Sequence, residues 1–91
     1  MRSQNSKAHS TAESLHLERV KLLPCSVCGQ NPPSEAHHVV QGQHFITIAL
    51  CKDCHTGSEN GIHGRRTMWR IFKMDEWRAL NVTIRRMMEG L

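Results

Sequence analysis

The sequence predicts an α+β fold: a small β-hairpin flanked by N- and C-terminal helices. Three observations predict it. Apolar residues recur at helical spacing towards both ends of the chain, and β-branched residues crowd residues 36–50 around a Gln-Gly-Gln turn. Two identical Cys-x2-Cys pairs bracket or close that stretch. With 91 residues there is room for one domain only. A chain of this size buries about 60–65% of its unfolded surface, so a staple is expected beside the apolar core. Four Cys and seven His supply candidates for it.

In order along the chain, residues 1–10 are polar and read as a disordered tail, followed by a single domain over 11–91. Ser10 with Glu13 matches a capping box, and STAESLHLERVKLL reads as a helix with Leu15, Leu22 and Leu23 towards the core. Pro24 stops it. The knuckles and core then occupy 24–64. CSVCGQNPPSE is a knuckle and loop; AHHVV is strand-like; Gly42 makes a turn; HFITIAL is the returning strand of an antiparallel hairpin. A short helix is expected after Cys54, ended by the glycine-rich TGSENGIHG. Residues 65–90 are helical. Met68, Trp69, Ile71 and Phe72 form one apolar stripe, and Trp77, Leu80, Ile84 with Met87 or Met88 form another, with Asp75 as a cap. These aromatics and methionines are expected to pack the core rather than stack on bases.

The formal charge of +4 is unevenly spread. Residues 1–24 carry Arg2, Lys7, Arg19 and Lys21 against Glu13 and Glu18; residues 25–64 carry only Lys52 against Glu35, Asp53 and Glu59. Seven of the twelve Lys and Arg fall in residues 65–91, against Asp75, Glu76 and Glu89. A basic C-terminal third fits a polyanionic partner, and equally a solvated helix surface. There is no apolar run long enough for a bilayer and no signal-peptide pattern, so a cytosolic chain with reduced thiols is expected.

Cys25-x2-Cys28 and Cys51-x2-Cys54 are separated by 22 residues. A two-residue gap lets both sulfurs of a knuckle reach one ion, and two knuckles complete the closed tetrahedral sulfur set that Zn2+ favours. Two disulfides or redox thiols are the alternatives, and they fit a cytosolic chain less well. Four sulfurs leave no open position, so this zinc holds the fold and does not catalyse. With four thiolates and one Zn2+ the loaded protein is nearer +2 than +4.

His37, His38, His44, His55 and His63 surround the second knuckle in sequence. Three or four imidazoles can hold a divalent transition metal with a position left open. Neighbours on a strand point to opposite faces, so His37 and His38 face different partners. One can serve a metal and the other, neutral near pH 7, can take a proton from water. Against this, His38 could be an ordinary packed or solvated strand residue, His55 a hydrogen-bonded neighbour of the zinc, and His63 a plain loop residue. His44 reads as structural or exposed, and His9 and His16 carry no assigned role.

The pattern C-S-V-C-G … E-A-H-H-V-V … I-A-L-C-K-D-C-H, within residues 23–64, resembles the HNH (His-Me finger, ββα-metal) endonucleases. It is most similar to the four-cysteine zinc branch of phages and prophages, including small recombination-associated nucleases of the Ref type. The resemblance implies a small ββα-metal finger in which His38 is the general base. It implies that His37 and His55, with His63 as a third, hold a second divalent ion: Mg2+, Mn2+ or another transition metal. It further implies metal-dependent hydrolysis of DNA phosphodiester bonds in a bacterial or phage-infected cytoplasm, with a recombination protein as a possible partner. Arg65, Arg66, Arg70 and Lys73, directly after the site, are the candidate phosphate contacts. The family's middle Asn, which orients the base, has no counterpart here; His44 and Gln43 are the candidates to replace it. The rival reading is a non-catalytic zinc module that binds nucleic acid or a protein through its basic helices.

Overall fold

The computed structural model describes residues 9–90, and most of the expected N-terminal tail lies outside the described residues. The chain forms a two-stranded antiparallel sheet and four helices. Helix α1 (Thr11–Lys21) starts on the capping box legible in the sequence: the Glu13 N–H donates to Ser10 Oγ at 3.1 Å and the Ser10 N–H to Glu13 Oε1 at 2.8 Å. Its buried residues are Leu17 and Val20, whereas Leu15 and Leu22 face solvent. This corrects the expected leucine face. Leu17 and Val20 sit at i, i+3 spacing towards the sheet, and the two leucines flank that stripe.

Strands β1 (Glu35–His38) and β2 (Thr47–Leu50) pair with Glu35 opposite Leu50 and His37 opposite Ile48. Both are shorter than the apolar runs that announced them. Beyond His38 the pairing continues only through the Val39 N–H to the Ile46 carbonyl, 3.0 Å, before the chain turns at Gly42. Gly42 has φ +85, as Gly29 beyond the first knuckle has φ +80, a conformation that a Cβ disfavours. All four residues of β2 are buried, because α1 and α4 both pack on this strand.

Helix α2 (Lys52–Thr56) begins earlier than the expected position after Cys54. Cys51 is its N-cap and its sulfur accepts from the Cys54 N–H, so the second knuckle is itself the first turn of the helix. The glycine-rich loop that follows is tied by backbone bonds, including Ile62 N–H to the Cys54 carbonyl at 2.9 Å and Arg66 N–H to the Gly61 carbonyl at 3.1 Å. Helix α3 (Thr67–Ile71) contributes Trp69, whose indole N–H donates to the Cys54 carbonyl at 2.9 Å within the core. Ile71 and Phe72 are exposed, so the expected stripe is only half buried.

Helix α4 (Glu76–Glu89) is capped by Asp75 as expected, its carboxylate accepting from the Arg78 N–H at 2.8 Å. The buried face is Ala79 and Thr83, with Leu80 partly covered; Trp77, Ile84 and Met88 are exposed. The large residues lie off the packed face because α4 approaches β2 closely enough for a hydrogen bond. The Ala49 N–H donates to Thr83 Oγ1 at 3.2 Å, and the same oxygen lies 2.7 Å from Ser26 Oγ. The core joins Ile48, Leu50, Ile62 and Trp69 to three buried cysteines. Among the described residues no helix is long and apolar enough to cross a membrane.

Candidate metal centres

The hairpin and α2 bring the two Cys-x2-Cys knuckles together. The ligand atoms of Cys25, Cys28, Cys51 and Cys54 all lie within 4.8 Å of one another. Sulfurs sharing a tetrahedral zinc at about 2.3 Å must be about 3.8 Å apart; Cys28 Sγ and Cys51 Sγ are 3.7 Å apart. Backbone N–H groups of Val27 and Cys54 point at Cys25 Sγ (3.5 Å) and Cys51 Sγ (3.4 Å), an orientation suited to thiolates. All four cysteines are free thiols. Without an ion the set resists ionisation. Burial pushes the Cys51 thiol up to about 11 and raises Cys54 as well. Cys25 goes down, its burial outweighed by the N–H groups of Cys28, Cys51 and Val27. A bound dication is what would bring out the thiolates of Cys51 and Cys54. The four cysteines could therefore hold a structural zinc ion.

A second cluster adjoins α2. His37, His55 and His63 offer ligand atoms within 4.8 Å of one another, with ring centroids 5.1 to 5.5 Å apart. β1 supplies His37, α2 supplies His55 directly after the last cysteine, and the bonded glycine loop supplies His63. His37 is 7% exposed and His63 is exposed, so the cluster opens outward on one side. A cavity of about 530 Å³ is lined by these three together with His38, Arg66 and Glu76.

Two carboxylates define the chemistry of this cluster. His37 Nε2 lies 2.8 Å from Glu76 Oε2, and His55 Nδ1 lies 2.8 Å from Glu35 Oε1. A carboxylate only accepts, so each of those ring nitrogens carries its hydrogen. In the neutral rings the remaining nitrogens, His37 Nδ1 and His55 Nε2, then hold lone pairs, and they face each other at 3.2 Å. Two lone pairs at that distance repel unless a cation or a shared proton lies between them. Imidazole nitrogens bound at about 2.0–2.1 Å to one ion are about 3.0–3.4 Å apart. The donor set fits a divalent ion, with carboxylates behind both imidazoles in the arrangement that raises ligand basicity.

Glu35 and Glu76 have no place among the residues singled out from sequence. Glu35 was within reach of pattern reasoning, since it precedes His37 by two on a strand and shares its face. Glu76 was not, being one more acidic residue at the start of a basic helix.

His38 turns the other way from His37, as strand alternation requires, and its Nε2 lies 3.0 Å from His44 Nδ1. Burial lowers its pKa, and the neighbouring His44, His9 and His37 lower it further. His44 therefore touches the candidate base, whereas Gln43 is exposed and contributes a backbone turn bond. Of the four basic residues proposed to meet phosphate, Arg66 lines the histidine cavity, and Arg70 lines an adjoining one. Arg65 leans towards Glu59 at 3.9 Å, and neither it nor Lys73 lines either cavity. An exposed pair of that kind contributes at most about 1 kcal/mol.

No family model, curated protein or solved structure matches the chain. The family likeness rests on the motif residues alone.

Proposed function

We propose that this chain is a metal-dependent endonuclease of the HNH type that hydrolyses DNA phosphodiester bonds. The observation that carries the proposal is the pair of facing imidazole nitrogens, His37 Nδ1 and His55 Nε2, left as the acceptors of neutral rings whose other nitrogens donate to Glu76 and Glu35, beside a cavity that His38 also lines. The order hairpin, knuckle, short helix supports the same reading.

In this reading His37, His55 and His63 would hold a divalent ion. When bound, the ion supplies neutralisation of the charge that builds on the phosphate and the leaving 3′ oxygen. His38 takes the proton from the attacking water. In the tautomer whose Nε2–H donates to His44, the lone pair needed for that task sits on Nδ1, and burial lowers the pKa of the ring, which favours the neutral form. His44 fixes the ring's angle, the role that an Asn fills in the family. Arg66, at the cavity wall with its Nε–H donated to the Ile62 carbonyl at 2.9 Å, keeps its terminal nitrogens for phosphate oxygens.

Nicking of supercoiled plasmid by the zinc-loaded protein with Mn2+ or Mg2+ tests the proposal. Nicking is expected with the parent and should be abolished by His38→Ala, with zinc content and DNA binding retained. Unimpaired nicking by His38→Ala would remove the base assignment. A protein that binds DNA and never cuts under any divalent metal would be the non-catalytic zinc module instead.

A further inference from the structure

We infer that a groove leading away from the histidine cavity binds single-stranded DNA, with Trp77 stacking on an unpaired base. The inference rests on the nuclease reading for its choice of DNA, but its geometry is separate. The chain has two tryptophans, and they are used oppositely: Trp69 is 2% exposed in the core, Trp77 is 70% exposed on the first turn of α4. Trp77 lines a second cavity of about 430 Å³ with Arg66, Arg70 and Met74. That cavity shares Ile62, Arg66 and Glu76 with the histidine cavity, so the two lie side by side.

The charges along it are arranged for an anion. Its two carboxylates are already occupied: Asp75 caps α4 and lies 3.7 Å from Arg78 Nε, and Glu76 holds His37. Its two guanidinium groups are anchored only by neutral partners, Arg66 by the Ile62 carbonyl and Arg70 by the Arg65 carbonyl and the Thr67 hydroxyl. Among the described residues neither has an acidic partner within 4.0 Å. Two held, uncompensated cations between an exposed indole and a hydrolytic cavity form a track for a sugar-phosphate backbone, with a stacking platform at its outer end. A base inside a duplex has both faces covered by its neighbours. An indole beside the track therefore stacks on an unpaired base or on the outer face of an end pair, so the groove favours a single strand or a flap over the interior of a duplex.

The test is a titration of the zinc-loaded protein, without added second metal, followed by tryptophan fluorescence. An oligothymidylate of about 12 nucleotides is compared with a blunt duplex of equal length. The single strand is expected to quench Trp77 and to bind at least about tenfold tighter than the duplex. Trp77→Ala should weaken single-strand binding by about tenfold or more, Trp77→Phe should restore most of it, and zinc content should stay unchanged. Equal affinity for the two DNAs, or unaltered single-strand binding by Trp77→Ala, would overturn the inference. So would an oligouridylate binding more tightly than the oligothymidylate, or a Trp77-dependent dimer in sedimentation that hides the indole. Plasmid nicking separates the two proposals: nicking without Trp77-dependent binding overturns the groove alone, and Trp77-dependent binding without cutting under any divalent metal overturns the nuclease alone.

Discussion

His37 on β1 and Glu76 on α4 are 39 residues apart in sequence and 2.8 Å apart in the fold, ring nitrogen to carboxylate oxygen. The contact fixes which nitrogen of His37 is free. Glu76→Gln removes the charge and allows the ring to turn over, so Mn2+ affinity at the histidine cluster should fall about 10- to 100-fold. Calorimetric titration of the zinc-loaded protein reads this, and the zinc content should be that of the parent. Unaltered Mn2+ affinity would separate Glu76 from the centre.

The hydroxyl of Thr83 should be worth more than its size suggests. It donates to the Ala79 carbonyl at 3.0 Å and accepts from the Ala49 N–H, which leaves the Ser26 hydroxyl to donate the 2.7 Å bond. Thr83→Val keeps the volume and leaves two buried donors unpaired, a cost of about 1–3 kcal/mol each. Urea unfolding should show a lower midpoint with one zinc still bound; a midpoint equal to the parent's would mean that this hydroxyl does not hold α4 to the sheet.

A four-thiolate zinc contributes about 10–16 kcal/mol to folding, against a total stability of about 5–15 kcal/mol for an ordinary domain. The comparison decides the outcome of its removal. Cys54→Ser, or treatment with a strong chelator, should abolish the helical far-ultraviolet signal at room temperature. His37→Ala should leave that signal and one tightly held zinc per chain intact. Retained helicity in metal-free protein would contradict a zinc-dependent fold.

Acid should destabilise the protein through His16. Its Nε2 is buried without a hydrogen-bond partner, and its ring packs on Phe45 with centroids 5.1 Å apart. Burial lowers its pKa below the usual 6.5, with Arg19 adding to the shift and the Phe45 carbonyl opposing it. Above 6.5 both folded and unfolded chains hold His16 neutral, and the residue has no pH effect. Below it the unfolded chain takes up a proton that the folded chain refuses, so stability falls with pH until the lowered pKa is reached. The melting temperature of His16→Leu should decline less than the parent's between about pH 7 and pH 5; parallel declines would exonerate His16.

Much of the frame was legible because its causes are local. The Ser10–Glu13 box, the Asp75 cap, the turn at Gly42 and both knuckles are set by residues within a few positions of each other. The grouping of His37, His55 and His63 came from the family resemblance, and the fold brings the three together. Burial was read less well. The expected apolar faces placed Leu22, Trp77 and Ile84 inward, yet all three are exposed; Leu17 and Val20 fill the core in α1, and the smaller Ala79 and Thr83 do so in α4. Ala79 and Thr83 are what a helix needs to approach a strand closely, and a hydropathy pattern scores such residues as unremarkable. Glu76 is the extreme case, since its value to His37 exists only once α4 has docked.

One helix touches both clusters. At its start α4 presents Glu76 to the imidazoles; near its end the Arg86 guanidinium donates to the carbonyls of Pro24 (3.4 Å) and Cys25 (3.2 Å) in the first knuckle. The rod is anchored on the backbone of the first knuckle and delivers its carboxylate at the far tip. The shape of the first knuckle and the tautomer of His37 therefore share one rigid part, and a change at either end is felt along the same helix.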